Sequence, residues 1–488
     1  MLAREWRFFC KSAIFWIVLT ATLLSLGLGA WNSYRRWSST HTQVRLLNQQ
    51  LESKLSKTRA RLVEIRQATA SGNANKIGKQ ELEWGAQQTQ WVNAHNPPTT
   101  VLPVAPLAFL ATGRSDILPR SYKSSPWRGK EPNAPTTDDP VALLIGDFDL
   151  KLVVLAVLPL ILVLSCFDLL ASEREDGTLR LILSQPIPFR HLLLCRAAVR
   201  GSLVVGSSLI TIVALTSAVH LAGGAIWIGR LAAYTAVSIG YLCLWVVIAI
   251  CVNLLGRSGT ANSVLLGGSW LAMVVFIPGI TPVMAEVLTP TPSRALYVDL
   301  ERAARLKVYN GIRPGASSPS VDDREAMLAA FLKRHPEWAS DPSLLRRTLL
   351  YAAQGEEHSL MLAGITRDFD TAKERQQRTI GWLSILSFAG TTDRILTELS
   401  GNSEARQAAY LEQSNEFFAR TKRYFWPLIF RWKLFTPERF AEIPRFTFVE
   451  SGATAILSQL WLPCLALALW CAGTLLTTAR LLRRKPVL

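Results

Sequence analysis

Apolar residues in this chain are gathered into blocks. Six runs are free, or nearly free, of charge: residues 12–31, 152–170, 201–221, 231–255, 261–283 and 453–479. A hydrocarbon layer about 30 Å thick is crossed by roughly 20 helical residues rising about 1.5 Å each, so each run predicts one membrane-crossing helix. The second run holds Pro159 and, near its end, Asp168; the fifth is rich in Gly and Pro. One such run alone could be a buried core helix. The first also has the basic leader of a signal peptide in Arg4, Arg7 and Lys11. Six together predict an integral membrane protein, and Arg35 and Arg36 close the first run as an uncleaved anchor.

Short basic loops face the cytoplasm. With six spans, four such segments share one face: the leader, residues 171–200 with Arg174, Arg180, Arg190, Arg196 and Arg200, the turn holding Arg257, and the tail with Arg480, Arg483, Arg484 and Lys485. Arg230 is a mild exception. The expected fold is therefore an all-α integral membrane protein with six transmembrane helices, both termini cytoplasmic, and two mainly helical extracytoplasmic insertions. The divisions are a leader and first span (1–31), the first insertion (32–150), the second span (151–170), a cytoplasmic segment (171–200), three spans (201–283), the second insertion (284–452), and the last span with its tail (453–488).

In the first insertion Val44, Leu47, Leu51, Leu55, Leu62 and Ile65 recur at helical steps, which predicts an amphipathic helix rising about 45 Å and packing on the neighbouring insertion. A break at 71–78 and a second helical stretch at 81–95 suggest a hairpin, and the Pro-rich chain after Pro97 and Pro98 reads as irregular as far as Pro140. In the second insertion Leu296, Leu300 and Ala304 form one stripe and Met327, Ala330 and Phe331 another, with Ser320 and Asp323 as a helix cap. Nine aromatics crowd residues 424–448. They read as a core plus an interfacial belt, or else as a surface for the outer leaflet or an amphiphilic cargo.

Composition agrees and narrows the chemistry. Of 488 residues 49% are hydrophobic and 18% charged, with a mean hydropathy of +0.21, which excludes a disordered or fibrous chain. The net charge of +17 is dispersed over loops, so anionic lipid headgroups account for it and no nucleic acid is expected. None of the seven Cys falls in an insertion, none has metal-ligand spacing, and the six His show no zinc-peptidase pairing. No metal and no catalytic residue is expected. The string GNANKIGKQ at 72–80 fails as a phosphate loop, because its glycine spacing is too long and Gln80 cannot supply the hydroxyl.

The inner segment reads ASEREDGTLRLILSQPIPFRHLLLCRAAVR. Glu173, Glu175 and Asp176 precede Thr178, Leu179, Ile182 and Leu183 share one helical face, and Pro186 and Pro188 stop the helix. A short amphipathic helix on the cytoplasmic face, joined to two spans, follows. The string Glu173, Arg174, Glu175, Asp176, Gly177, Thr178, Leu179, with Leu183 and Pro186, resembles the coupling segment of type-2 ABC transporter permeases. VALLIGDFDL, VLPVAPLAFLATGRSD and FTFVE sharpen the likeness to a bacterial subfamily with two large extracytoplasmic insertions, related to the permease of nitrous oxide reductase maturation.

That resemblance implies that residues 173–186 dock on a separate cytoplasmic ABC ATPase, present in two copies and carrying the ATP and Mg. It implies that Glu5 and Trp6 belong to a connecting helix, and that a second permease, identical or related, completes the path. This chain itself would bind no cofactor. The setting would be a bacterial inner membrane and the activity export of an unidentified substrate. The alternatives are a mechanotransmitter that actuates an extracytoplasmic partner without moving cargo, and a scaffold without a motor. Pro159, Gly267, Gly268, Pro278, Gly279 and Pro282 are candidate hinges, since proline removes a helical hydrogen bond. Lys151, at the mouth of the second span, departs from the family pattern.

Overall fold

The computed structural model describes residues 2–71, 88–111, 119–125, 130–132, 148–184, 188–255, 258–310 and 320–484. Among them, six helices are long and apolar enough to cross a membrane. The 72–80 string, Arg257, Lys485 and Pro186 lie outside the described residues.

A short amphipathic α1 (Leu2–Lys11) turns at Ser12 into α2 (Ala13–Ala70). This single helix of 58 residues is about 85 Å long, so the first span and the predicted outer helix are one rod. Leu26 and Trp37 are buried in the membrane bundle, whereas Leu62 and Ile65 are buried in a second, separate apolar core. The bundle comprises α2, α4 (150–166), α7 (Phe189–Leu221), α8 (Ile228–Leu254), α9 (Gly259–Leu288) and α16 (Ala453–Arg484). Between α4 and α7 lie α5 (Ala171–Glu175) and α6 (Thr178–Leu183).

The second core forms a head built on the far end of α2. α3 (Thr89–His95), α11 (Val321–Arg334), α12 (Pro336–Ala339), the start of α13 (Arg346–Leu383) and the end of α15 (Glu404–Phe430) surround it. Ser320 and Asp323 cap α11 reciprocally, as expected. Phe425, Phe430, Phe435 and Phe440 from the aromatic cluster fill the head, and Phe446 and Phe448 pack edge-on against Tyr410, so most of the cluster is core. On α10 (Arg294–Asn310) the expected stripe is split. Ala304 and Val308 are buried, while Leu296 and Leu300 are exposed.

Two segments reach further inward than their sequence suggests. The Pro-rich stretch is not irregular throughout: β1 (Thr99–Val101), β2 (Ser121–Ser124) and β3 (Lys130–Pro132) form an antiparallel sheet in that order, fixed to α15 by the Tyr410 hydroxyl. Leu107, Phe109 and Leu110 then plug the head end of the bundle, where Tyr234 donates to the Leu110 carbonyl at 3.1 Å and Asn402 to that of Ala111.

The second insertion also re-enters the bundle. α13 descends from the head, a 3-10 turn follows at Ser384–Leu386, and α14 (Phe388–Ser400) climbs back. Residues 384–400 therefore lie inside the bundle and not with the rest of the 284–452 insertion. The Phe388 ring meets Trp245 at 5.2 Å and Trp470 at 5.6 Å, near the midpoints of α8 and α16. Such a break is tolerated at this depth only where its backbone is satisfied. Ser387 Oγ accepts from the Ala389 and Gly390 amides and donates to the Met273 carbonyl, and Trp470 Nε1 donates to the Ile385 carbonyl at 3.1 Å. The apolar run at 380–392 is too short for a span, which is why the length criterion passes over it.

Phe388→Ala is expected to cost about 3 kcal/mol, whereas Leu386→Ala, at a position 60% exposed, changes stability by less than about 0.5 kcal/mol. Thermal unfolding of both variants in detergent checks the re-entrant packing.

Candidate functional site

A helix leaves its last carbonyls without internal donors, and at a membrane edge they need others. α4 ends at Cys166, and the turn of residues 167–170 leads into α5. Side chains of three other spans take its carbonyls in succession. Arg200 Nη1 donates to Ser165 O at 2.6 Å and Asp168 O at 3.0 Å. Asn253 Nδ2 donates to Cys166 O at 2.9 Å, and Asn262 Nδ2 to Phe167 O at 3.3 Å. Arg196 Nη1 donates to Leu169 O at 2.8 Å. Two guanidinium groups at a helix C-terminus also complement its dipole.

Arg196 is the hub of this joint. Its Nη1 lies 2.6 Å from Glu173 Oε2 on α5 and its Nε 3.4 Å from Glu5 Oε2 on α1. The Arg200 guanidinium lies over the Phe9 ring at 5.9 Å, and Phe9 packs edge-on against Phe15 at 5.3 Å. α1, the end of α4, α5 and α7 are thus fastened as one piece. Asp168 Oδ1 accepts from the Ser172 amide at 2.8 Å, and Glu175 Oε1 accepts from the Gly259 amide at 2.9 Å, which ties α5 to α9 as well.

The expected docking residues therefore divide. Glu173 and Glu5 turn inward and meet at Arg196. Glu175, Asp176, Gly177 and Thr178 form an exposed tip, where Gly177 has φ +71°, a conformation that favours glycine. Arg174 is half-buried and Trp6 is exposed; Leu179 and Ile182 pack against the bundle core, and Leu183 lies in the last turn of α6. Asn253 and Asn262 carry a signal in the sequence only as polar residues in an apolar run. Arg196 and Arg200 are not loop charges, since their spacing of four places both on one face of α7.

The hinge candidates also differ from one another. Pro159 lacks an N–H, which frees the Leu155 carbonyl one turn earlier. The Tyr241 hydroxyl donates to that carbonyl at 2.7 Å, and Trp270 Nε1 to the neighbouring Ala156 carbonyl at 2.9 Å, so the π-helical stretch Val153–Val157 is pinned by two spans. In α9 a second π-helical stretch, Leu271–Phe276, precedes Pro278, Gly279 and Pro282. Open space lies beside the Cα atoms of Gly267, Gly268 and Gly279. Among the described residues, no group of three or more His, Cys, Asp or Glu side chains could hold a metal ion.

A family model described as ABC-2 family transporter protein matches residues 1–332, which include α1, the Arg196 joint and five of the six spans. The chain belongs to that family. A second model, a domain of unknown function (DUF3526), matches residues 298–449, which hold most of the head and the re-entrant helices. No curated protein and no solved structure matches. As an ABC-2 permease the protein is a multi-pass membrane subunit that pairs with an ABC ATPase.

Arg196→Ala leaves Glu5, Glu173 and the Leu169 carbonyl without their shared donor and is expected to cost about 2–3 kcal/mol, with Arg196→Lys recovering part of it. Tyr241→Phe, which leaves the Leu155 carbonyl unpaired, is expected to cost about 1–2 kcal/mol. Thermal unfolding of the purified permease measures both.

Proposed function

We propose that this permease subunit couples ATP hydrolysis by two copies of a cytoplasmic ATPase to export of a substrate from a bacterial inner membrane. The supporting observation is the exposed tip of residues 175–178, fixed through α5 and Arg196 to α1, α4 and α7. Force applied there is passed to those helices together, because Arg196 on α7 binds α1, α5 and the end of α4 at once. Residues 173–186 are the docking segment in this reading, with Glu173 positioning the tip and Glu175, Asp176 and Thr178 facing the ATPase. A second permease, a copy or a relative, completes the path. α9 presents Phe276, Ile280, Val283 and Val287 outward on one helical face, available to such a partner. The chain's resemblance to the nitrous oxide reductase maturation permease belongs to this proposal.

One observation favours a second reading, in which the stroke actuates an extracytoplasmic partner and no cargo crosses. Among the described residues α2 and α13 run as rods between the bundle and the head, and α13 ends inside the bundle. Nucleotide-dependent cargo movement in reconstituted vesicles supports the first reading; movement of the head without cargo flux supports the second.

Glu175→Ala with Asp176→Ala is expected to weaken ATPase co-purification by about tenfold, about 1.4 kcal/mol, while the permease stays folded. Unchanged co-purification and unchanged coupled hydrolysis would reject the docking segment. A cysteine replacing Thr178 should be labelled only from the cytoplasmic side, and one replacing Val321, which is 74% exposed in the head, only from the other.

A further inference from the structure

Beside the Arg196 joint, between α1, the start of α2, the end of α4 and α7, lies a cavity of about 420 Å3. That is within the size range of small-ligand sites, about 300–1,000 Å3. Ser12, where α1 meets the first span, lines it together with residues from the ends of two other spans. It therefore lies at the level of lipid headgroups on the coupling side. Phe8 and Ile14 line it too and are exposed, which gives it an apolar exit toward the hydrocarbon.

The charges of the wall select the ligand. Arg4, Arg196 and Arg200 are matched by Glu5, Asp168 and Glu173, so the lining is neutral and a purely anionic group gains little from it. Arg196 is already engaged by Glu5 and Glu173, and Arg200 by two carbonyls of the joint. Arg4 forms no ion pair among the described residues and rests over the Phe8 ring at 5.8 Å. Asp168 attracts Arg200 electrostatically, and among the described hydrogen bonds its Oδ1 accepts the Ser172 amide while its Oδ2 accepts none. One cation and one carboxylate thus face the same cavity beside an apolar exit.

We propose that this cavity holds the headgroup of a zwitterionic phospholipid carrying a primary ammonium. Its phosphate meets Arg4, its ammonium donates to Asp168, and an acyl chain leaves past Phe8 and Ile14. A charged hydrogen bond from a primary ammonium distinguishes this headgroup from choline, which has no N–H, and from glycerol, which has no cation. The occupant would brace α1 against α5 at the point where the permease receives force.

The test uses the full-length permease alone, reconstituted with phosphatidylethanolamine, phosphatidylcholine or phosphatidylglycerol and examined by native mass spectrometry for retained lipid. Phosphatidylethanolamine is expected to be retained over phosphatidylcholine by about tenfold, a preference that Asp168→Asn abolishes, while Arg4→Ala lowers retention of both. Equal retention of phosphatidylglycerol, an unchanged preference in Asp168→Asn, displacement by inorganic phosphate alone, or no lipid beyond a non-selective annulus would each overturn the proposal. Arg4 is exposed, so its variant keeps the test valid if Asp168→Asn fails to fold. Because no ATPase is present, failure here leaves the docking reading standing, and failure of docking leaves this site standing.

Discussion

A backbone carbonyl in or beside a lipid layer must find a donor within the protein, and α4 is shaped by that requirement. Its interior is interrupted by Pro159 and a π-helical stretch, and its end unwinds just before α5. At the first place Tyr241 and Trp270 supply the donors, and at the second Arg196, Arg200, Asn253 and Asn262 do. The breaks that would have made α4 pliable are therefore the points at which α7, α8 and α9 grip it. The hydrogen bonds that satisfy the backbone of α4 also lock it to three neighbouring spans.

The same requirement is met midway through the bundle by Ser387, whose hydroxyl caps α14 and reaches α9. Lys151 at the head end of α4 pairs with Asp393 on α14 at 2.7 Å. A continuous series of contacts thus runs from the tip at 175–178 along α4, across this ion pair to α14, and up α13 to the head. α2 forms a parallel rod from α1 to the same head, tied there by the Arg66–Glu438 pair. Lys151 therefore occupies a contact between the bundle and the re-entrant segment.

What could be read from the sequence followed from the range of the interactions involved. The six spans depend on local apolar content, and the amphipathic outer helix on local periodicity. Both were legible, and Leu62 and Ile65 face the head core as their spacing suggested. The re-entrant helices were not, because a short apolar run at 380–392 acquires its depth only from Trp245, Met273 and Trp470, distant in the chain. Leu107 to Leu110 looked irregular for the same reason. Leu296 and Leu300 mislead in the opposite sense, since their stripe lies beside the face that α13 covers. At the Arg196 joint the acidic string was legible, but the inward turn of Glu173 depends on Arg196, which lies on the next span.

The central claim is that the coupling segment, α1 and the ends of α4 and α7 move as one piece under a separate motor. Spin labels on cysteines replacing Arg7 and Leu181, both exposed, measure the separation of α1 and α6 by pulsed electron resonance in the complex with the ATPase. A third position, replacing Leu469 on the exposed face of α16, supplies the comparison. The account predicts an unchanged Arg7–Leu181 separation when nucleotide binds, with a changed Leu181–Leu469 separation. A nucleotide-driven change within the Arg7–Leu181 pair would contradict it.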